Sequence, residues 1–278
     1  MRADLSDAFG QKWSALRLVI RGIGSSGESA ECVESELFGT IPLDFLVRGE
    51  EHPCPYLPGR EAREEGFMAD SFPPELYHDF MNHGFRRSGL ILYRPACENC
   101  SECRPIRVPA DRFTPSKSQR RVVRKNEDVD VKIAAPRITR EKLRICGKYI
   151  QSHHRSSPPD SSQGLKRFLY QSPVMTLEFE YRVRGRLVAV GITDVCYRSL
   201  SSVYVFYDPE CSSRSLGTFS AMREVLFCRE HSIPYYYLGF YVAQCPSMNY
   251  KARFRPHEIL SASGNWVPHC DPDALSDK

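Results

Sequence analysis

The stretch GFRRSGLILYRPACENCSECRPIRVP, residues 84–109, is the part of the sequence around which the chain is organised. Within it, Leu90 to Tyr93 and Ile106 to Val108 are short runs of β-forming residues, which predicts two strands. A helix is predicted just before it, from Pro74 to His83, because proline suits a first helical turn and Gly84 suits a helix end. The two strands enclose a tight loop that is rich in basic and thiol side chains.

Three cysteines in that loop, Cys97, Cys100 and Cys103, follow one another at the same two-residue spacing. This spacing lets neighbouring sulfurs reach one metal ion, and Cys54, in a proline-rich stretch further upstream, is a candidate fourth ligand. Four thiolates suit a structural zinc ion or an iron–sulfur cluster, although a second Cys-x-x-Cys pair is missing. Thiols that bind no metal, either packed or sensitive to oxidation, are the alternative.

Arg86 and Arg87, followed by Ser88, come directly after the predicted end of the helix. Arginine side chains hold carboxylate or phosphate groups through two parallel hydrogen bonds, so the pair predicts an anion site with accessible side chains. The alternative is a pair that only contacts the carbonyl groups at the helix end.

With 278 residues and 41% hydrophobic side chains, the chain is long enough for one large or two smaller domains with a buried core. No apolar run approaches the ~20 residues of a membrane span, and the polar N-terminus does not resemble a secretory signal. The eleven cysteines are odd in number and scattered, which favours a reducing compartment. We therefore expect a cytoplasmic protein without a membrane partner.

Basic residues are concentrated between Arg104 and Lys125, where eight Lys or Arg side chains stand against a single acid, Asp111. An ordinary solvated surface mixes both signs of charge. A run of one sign favours a contact with the phosphate backbone of a nucleic acid, with a solvated basic face as the alternative.

The C-terminal half shows a regular succession of elements. A helix is expected from Thr139, whose hydroxyl group suits an N-cap, and Ser156 to Gly164 is expected to form a loop. The elements predicted after it are the strands Val174–Val183, Leu187–Asp194 and Ser202–Tyr207, the helix Arg214–His231 and the strand Tyr235–Phe240. This order indicates an α+β fold and resembles the core of the GNAT acyltransferases.

The last predicted strand and the segment after it carry groups suited to a ligand. Tyr236 to Tyr241 combines aromatic rings with Gly239, which permits close approach of a ligand, while Tyr250 and Lys251 add a hydroxyl group and a charge. A buried strand with packed tyrosines is the alternative. Phe219, before the helix interior, stands where acetyl-CoA enzymes of the GNAT fold have a small residue, and this disfavours a CoA pyrophosphate.

Together these motifs resemble those of the bacterial aminoacyl-tRNA–protein transferases, a branch that is related to eukaryotic arginyltransferases and transfers leucine. The matching pieces occur in order over about residues 50–260: Cys54–Arg60, Gly84–Gly89, Tyr93–Cys97, Ser116–Arg121 with Asn126, Phe206–Pro209, Ser215–Gly217, Tyr237–Gly239 and Met248–Lys251. Two parts depart from the family pattern. The first forty or so residues do not align, and Phe240-Tyr241 stands where Tyr-Trp is frequent.

The resemblance implies that the donor is an aminoacyl ester on tRNA and that the acceptor is a protein with N-terminal Asp or Glu. It further implies that leucine is transferred, that the product is marked for N-end rule degradation, and that the chemistry needs no cofactor. Transfer of arginine, an acyl-CoA-dependent N-acyltransferase of the same fold, and a metal-stapled RNA-binding module without catalysis are the alternatives.

The residues expected to serve this reaction fall into four groups. Asp208 would orient the incoming ammonium group or accept its proton, and Tyr250 would donate to the leaving oxygen. The acceptor would contact Arg86, Arg87, Ser88, Tyr93, Arg94, Asn249 and Lys251. The tRNA backbone would contact Lys117, Arg120, Arg121, Arg124 and Lys125. A bound metal would take Cys54, Cys97, Cys100 and Cys103 as ligands.

Three segments are expected along the chain: residues 1–50 as a variable N-terminal segment, 51–135 as a Cys- and Arg-rich subdomain, and 136–278 as a GNAT-like acyltransferase domain. Within the first segment, Trp13 to Ile20 suggests one short element, and the Gly- and Ser-rich run Gly22 to Ser29 suggests a flexible connector.

Overall fold

The computed structural model describes residues 20–21, 46–153 and 162–269. The connector expected at Gly22 to Ser29 and almost all of the element expected at Trp13 to Ile20 lie outside these residues. The same holds for most of the loop expected at Ser156 to Gly164. The described end of that loop was predicted wrongly, because a helix begins at Ser162.

Helices and strands alternate through the described residues, so the fold is mixed α and β. The strands are β1 (Ile20–Arg21), β2 (Val47–Arg48), β3 (His52–Pro53), β4 (Glu61–Ala62), β5 (Glu64–Ala69), β6 (Arg86–Ser88), β7 (Ile91–Pro95), β8 (Arg104–Pro109), β9 (Val129–Ala134), β10 (Thr176–Val183), β11 (Arg186–Cys196), β12 (Ser199–Tyr207), β13 (Tyr235–Tyr241), β14 (Glu258–Leu260) and β15 (Trp266–Pro268). The helices are α1 (Pro74–Asn82), α2 (Lys117–Lys125), α3 (Arg140–His153), α4 (Ser162–Tyr170), α5 (Leu216–Glu230) and α6 (Pro246–Asn249), with 3-10 turns at Pro209–Arg214 and Tyr250–Arg253.

Residues 84–109 join the two larger sheets. Strands β6 and β7 belong to a sheet of order β1-β5-β7-β6, in which β2 also pairs with β5. The cysteine loop then crosses to β8, which lies inside a sheet of order β15-β14-β8-β13-β12-β11-β10-β9. Strands β8 and β9 precede residue 135 in the sequence, yet they pair with strands that follow it, so the second sheet draws on both expected segments.

Strands β12 and β13 run parallel, and α5 connects them. Their pairing covers only three residues on each strand and ends at Ser201 opposite Tyr237. Beyond this point the strands no longer pair, whereas β12 stays paired with β11 as far as Tyr207. The sheet therefore opens between β12 and β13, and backbone groups on facing edges are left for other partners.

Three apolar clusters hold these layers together. One lies between the eight-stranded sheet and α5, where Phe219 and Met222 are buried, and a second packs Ile145 and Ile150 of α3 against the opposite face. The third lies under the five-stranded sheet and contains Phe80 of α1. Burial of this apolar surface is the main favourable term for the fold.

Most predicted elements are confirmed within two or three residues at either end, including the hairpin of β10 and β11 with Gly185 in its turn. Helix α2 was missed. Ser116 caps it through the backbone N–H of Gln119, and the Gln119 side chain accepts from the backbone of Ser116 in return. This Ser-x-x-Gln capping box is legible in the sequence and is the signal that would have predicted the helix.

Candidate active site

Beyond its pairing with β12, strand β13 contacts groups from both halves of the sequence. On the β13 side, Gly239 has φ of +90°, and the pairing of β13 with β8 shifts register beside it. This left-handed conformation favours glycine. It places the carbonyl groups of Gly239 and Phe240 near two buried cations, Arg86 of β6 and Lys251.

Arg86 is 5% exposed, and within the described residues its guanidinium group donates only to neutral groups. It donates to the carbonyl oxygen of Phe85 at 2.5 Å and to that of Gly239 at 3.4 Å. Its Nε is buried without a hydrogen-bond partner among the described residues, and the rings of Tyr237 and Phe240 lie at 5.2 and 5.5 Å from the guanidinium carbon. Burial lowers the pKa of Arg86 because the charged form is poorly solvated there.

Lys251 is 7% exposed, and its ammonium nitrogen donates to the Phe240 carbonyl oxygen at 2.7 Å and to the Met248 sulfur at 3.5 Å. Burial and the charge of Arg86 lower its pKa to about 7. Within the described part of the chain, neither Arg86 nor Lys251 forms an ion pair with a carboxylate. The pair is therefore a buried positive site without a counter-ion, and such a site favours an incoming anion.

Arg87 corrects the expectation of two accessible arginines. Its side chain is fully buried and forms a bidentate ion pair with Asp194, with N···O distances of 2.6 and 2.7 Å. Tyr77 and Thr176 donate to the same carboxylate, each at 2.8 Å. Burial alone would lower the pKa of Arg87, but the charge and hydrogen bonds of Asp194 raise it above its ordinary value. The third nitrogen of the Arg87 side chain donates to the carbonyl oxygens of Gly89 and Gln171, each at 3.1 Å, so all three nitrogens of this guanidinium already have partners in the described residues.

The other residues expected to bind the acceptor lie at different depths around the two cations. Tyr93 faces Phe240 with ring centroids 6.2 Å apart, and burial raises its pKa. Arg94 is paired with Glu65 at 2.7 Å, so it already has its carboxylate. Ser88 ends β6, and Asn249 donates to the Ala243 carbonyl oxygen at 3.2 Å. Tyr93 lies close enough to Arg86 for that charge to oppose part of the rise in its pKa that burial causes.

Asp208 lies at the end of β12 and is fully buried. One carboxylate oxygen caps the 3-10 turn by accepting from the backbone N–H of Glu210 at 3.2 Å. The other accepts from Arg186 at 2.5 Å. Both oxygens therefore have partners within the protein, an arrangement typical of a structural cap. Its expected role toward the ammonium group stays a prediction.

Tyr250 begins the 3-10 turn that carries Lys251 and packs against the core under α5. Burial raises the pKa of its hydroxyl group to about 12, with a further contribution from the charge of Glu224 on α5. A phenol with this pKa keeps its proton at neutral pH and can donate it in a hydrogen bond. Glu224 was not singled out in the sequence, because a glutamate within a helix is usually exposed.

The cysteine loop packs behind this site. Cys54, Cys97 and Cys100 lie near Cys103, whose pKa is raised to about 12 by burial and, to a smaller extent, by these neighbouring thiols. Leu57 donates its backbone N–H to the Cys54 sulfur, and Arg60 donates to that of Cys100, each at 3.4 Å. The donor type suits a soft metal, yet no group of three or more His, Cys, Asp and Glu in residues 46–153 and 162–269 is arranged to hold an ion.

The five basic side chains of α2 are all exposed, while Val122 and Val123 of the same helix pack on the core. Helix α2 is tied to the segment before α5, because Lys125 donates to the Ser213 carbonyl oxygen at 2.5 Å and Asn126 to that of Arg214 at 2.9 Å. The positive face predicted from the sequence therefore lies beside the segment that connects β12 to α5. Within the described ranges, no helix has the length and apolar character to cross a membrane.

Comparison with known proteins gives matches to one family in two parts of the chain. Residues 52–121 match the family model "Arginine-tRNA-protein transferase, N terminus", and residues 141–261 match "Arginine-tRNA-protein transferase, C terminus". The chain is 37% identical over 222 residues to the aspartate/glutamate leucyltransferase of Pseudomonas putida, covering 78% of this chain and 94% of that protein. The protein of the same name from Pseudomonas syringae is 36% identical over the same coverage.

Solved structures give a weaker likeness. The C-terminal domain of a putative lysylphosphatidylglycerol synthetase from Agrobacterium fabrum is similar with a TM-score of 0.40 and 13% identity, over 60% of this chain and 51% of that one. The L-PGS structure from Bacillus licheniformis gives a TM-score of 0.37 and 15% identity, over 60% and 49%.

Proposed function

The chain belongs to the arginine-tRNA-protein transferase family and is an aminoacyltransferase, and from that premise we propose that it transfers leucine from Leu-tRNA to the N-terminal Asp or Glu of acceptor proteins. The relatives that support leucine as the donated residue carry the name aspartate/glutamate leucyltransferase. The product would then be marked for degradation under the N-end rule. Because the donor is a charged tRNA, we propose that the reaction takes place in the cytoplasm.

The observation that carries this proposal is the pair Arg86 and Lys251, two buried cations without a carboxylate partner in the described residues. The side chain of an N-terminal Asp or Glu would supply that partner. Leaving a buried charge unpaired costs roughly several kcal/mol. An incoming carboxylate therefore gains binding free energy from both cations, whereas a neutral or basic side chain gains none from them. Tyr93 would form the wall beside the bound side chain.

We propose that the aminoacyl end of the tRNA enters the opening between β12 and β13 while α2 contacts the tRNA backbone. The fold of the eight-stranded sheet would then be GNAT-like, with the short parallel pairing at Ser199–Ser201 as its supporting feature. The five exposed basic side chains of α2, next to the start of α5, would neutralise phosphate groups along this path.

The ester bond to tRNA is already reactive, so the protein mainly has to position the two substrates and handle protons. The acceptor ammonium group must lose one proton before its nitrogen attacks the ester carbonyl carbon. As the N–C bond forms and the C–O bond breaks, the nitrogen loses a second proton and the leaving ribose oxygen gains one. Tyr250, which keeps its phenol proton at neutral pH, is suited to donate to that leaving oxygen.

A structural zinc ion or an iron–sulfur cluster on Cys54, Cys97, Cys100 and Cys103 stays a proposal for the thiol group. The sulfur donors fit, the arrangement in the described residues does not, and no step of the transfer uses a metal. Metal analysis of the purified protein tests it. The division into residues 1–50, a Cys- and Arg-rich subdomain at 51–135 and a transferase domain at 136–278 is likewise a proposal.

The test is a transfer assay with labelled Leu-tRNA and matched peptides that begin with Asp, Asn or Lys. We expect label on the Asp peptide only, and we expect Arg86→Met to raise the KM for that peptide without changing the KM for Leu-tRNA. Arg-tRNA and labelled acetyl-CoA serve as alternative donors. Label from Arg-tRNA alone would change the donor to arginine, and label from acetyl-CoA alone would overturn the proposal.

A further inference from the structure

Glu224 on α5 is a fully buried carboxylate whose partners are hydroxyl groups. Ser220, one turn earlier, donates to Oε1 at 2.6 Å, and Tyr236 of β13 donates to Oε2 at 2.6 Å. Ser202 of β12 adds a further hydrogen bond that favours the charged form. Gly191 of β11 makes room for the group, because a Cβ atom there would lie 2.8 Å from Oε1 and 2.7 Å from the Ser220 oxygen.

The lack of a cationic partner separates Glu224 from other buried carboxylates. Asp194 is paired with Arg87, Glu178 with Lys142, and Asp208 with Arg186. In the part of the chain that the structure describes, Glu224 forms no such ion pair. Its negative charge is therefore held only by neutral donors, so its protonated and deprotonated forms lie close in free energy.

Glu224 lies at the point where β12 and β13 cease to pair. Ser202 follows directly after the last paired residue of β12, and Tyr236 precedes the last paired residue of β13. Tyr250, in the 3-10 turn after α6, packs against the apolar cluster that contains Tyr236, and burial, followed by the charge of Glu224, raises the pKa of its hydroxyl group. Tyr250 in turn adds to the raised pKa of Tyr236, whose main causes are burial and Glu224. One carboxyl group and two phenol groups thus lie together beside the point where β12 and β13 cease to pair.

Other titratable groups that face Glu224 are neutral as well. Tyr181 of β10 hydrogen-bonds Ser220 at 2.9 Å, and its pKa is raised by burial and then by the charge of Glu224. Cys228, one turn further along α5, is buried and has a raised pKa for the same two reasons. Hydroxyl and thiol groups thus lie around the carboxyl group, the charge of Arg223 lies close enough to act on Tyr181, and burial raises the pKa of Glu224 to about 7.

We propose that Glu224 takes up the proton that the acceptor ammonium group loses, acting through Tyr236 and Tyr250 as a positioning residue of the transfer site. The inference rests on the proposed function. The ammonium group gives one proton to the Tyr250 oxygen, the Tyr250 proton passes to Tyr236, and the Tyr236 proton passes to Glu224. The free amine then attacks the ester, and its second proton goes through Tyr250 to the leaving ribose oxygen. Glu224 afterwards releases its proton to solvent, so one proton is released per transfer.

The experiment measures kcat for transfer of labelled leucine to an Asp-initiated peptide between pH 5.5 and 8.5, with both substrates saturating. We expect the wild-type kcat to rise with pH through an ionisation near 7. Glu224→Gln keeps the shape and hydrogen-bonding capacity of the side chain. We expect it to lower kcat by about 10²-fold and to remove the rise of kcat with pH, which is called the limb of the pH profile below.

Ser220→Ala is the matched control, because it removes one donor to the carboxylate and leaves the carboxylate in place. We expect it to shift the limb to higher pH, a change that ionisation of the peptide amine itself would not show. Tyr236→Phe serves the same purpose if Glu224→Gln does not fold, and we expect it to shift the limb upward and to lower kcat. Circular dichroism and thermal melting confirm folding of each variant.

The outcomes separate the inference from the proposed function. If the wild type transfers leucine and Glu224→Gln keeps its rate and limb, or both control variants leave the limb in place, the inference is wrong while the function stands. If the wild type labels no acidic peptide from either charged tRNA, the proposed function and the inference fail together.

Discussion

Replacing Lys251 by methionine should stabilise the protein and weaken the binding of acidic acceptors. The lowering of the lysine pKa from 10.5 to about 7 corresponds to roughly 5 kcal/mol of lost stability for the charged form. Methionine has a similar length, carries no charge and would lie beside Met248. The variant also loses the hydrogen bond to the Phe240 carbonyl oxygen, which costs about 1–3 kcal/mol. We therefore expect a net gain of about 2–4 kcal/mol at pH 7.

The gain must depend on pH with a definite sign. Between pH 7 and 10.5 the unfolded lysine binds a proton that the folded lysine has lost, so wild-type stability rises with pH across this window. The advantage of Lys251→Met should therefore shrink by about 1.4 kcal/mol per pH unit above 7. Urea unfolding at pH 7, 8 and 9 measures this. Lys132→Met, at an exposed position of β9, is the control and should leave the stability at each pH nearly unchanged.

The same variant should change the kinetics of one substrate only. The KM for an Asp-initiated peptide should rise at least tenfold at pH 6.5, where the wild-type ammonium group is charged, while the KM for Leu-tRNA stays the same. The wild-type peptide KM should increase as the pH rises above 7, and the variant should lack this increase. Equal stability of wild type and variant at all three pH values, together with an unchanged peptide KM, would refute the assignment of Lys251 as a buried, unpaired cation.

Three further predictions concern Arg87, Arg124 and Asp208. Arg87→Met leaves the fully buried Asp194 without its cation, so the free energy of unfolding in urea should fall by about 3–5 kcal/mol, and a loss below 1 kcal/mol would show that the pair is not structural. Arg124→Ala on α2 should reduce the salt dependence of tRNA binding by about one counter-ion, measured by filter binding at several salt concentrations, with the peptide KM as the unaffected reference. Asp208→Asn keeps the cap on Glu210 and loses the pair with the half-exposed Arg186, so kcat should stay within about twofold of wild type. A folded Asp208→Asn protein with a tenfold lower kcat would instead support the role toward the ammonium group that the sequence suggested.

The sequence by itself determined the succession of elements and the family. Alternating apolar runs with turn residues between them predicted β10 to β13 and α5, because burial of one face of a strand or helix leaves a regular pattern. The basic run was also legible, and its side chains are exposed on α2. Helix α2 itself was not predicted, although the Ser116–Gln119 capping box is a local sequence pattern that predicts the start of a helix. Features that depend on neighbours in sequence are the ones that a single chain can reveal.

Only the tertiary structure decided which charged groups have partners. Arg86 and Arg87 are adjacent and alike in sequence, yet β6 turns alternate side chains to opposite sides. Arg87 thereby meets Asp194 of β11, 107 positions away, while Arg86 meets backbone carbonyl groups and Lys251. Glu224 resembles an ordinary surface residue of a helix until β11, β12 and β13 enclose it. The free energy of a buried charge depends on the groups that surround it in space, and long-range pairing of strands sets those groups.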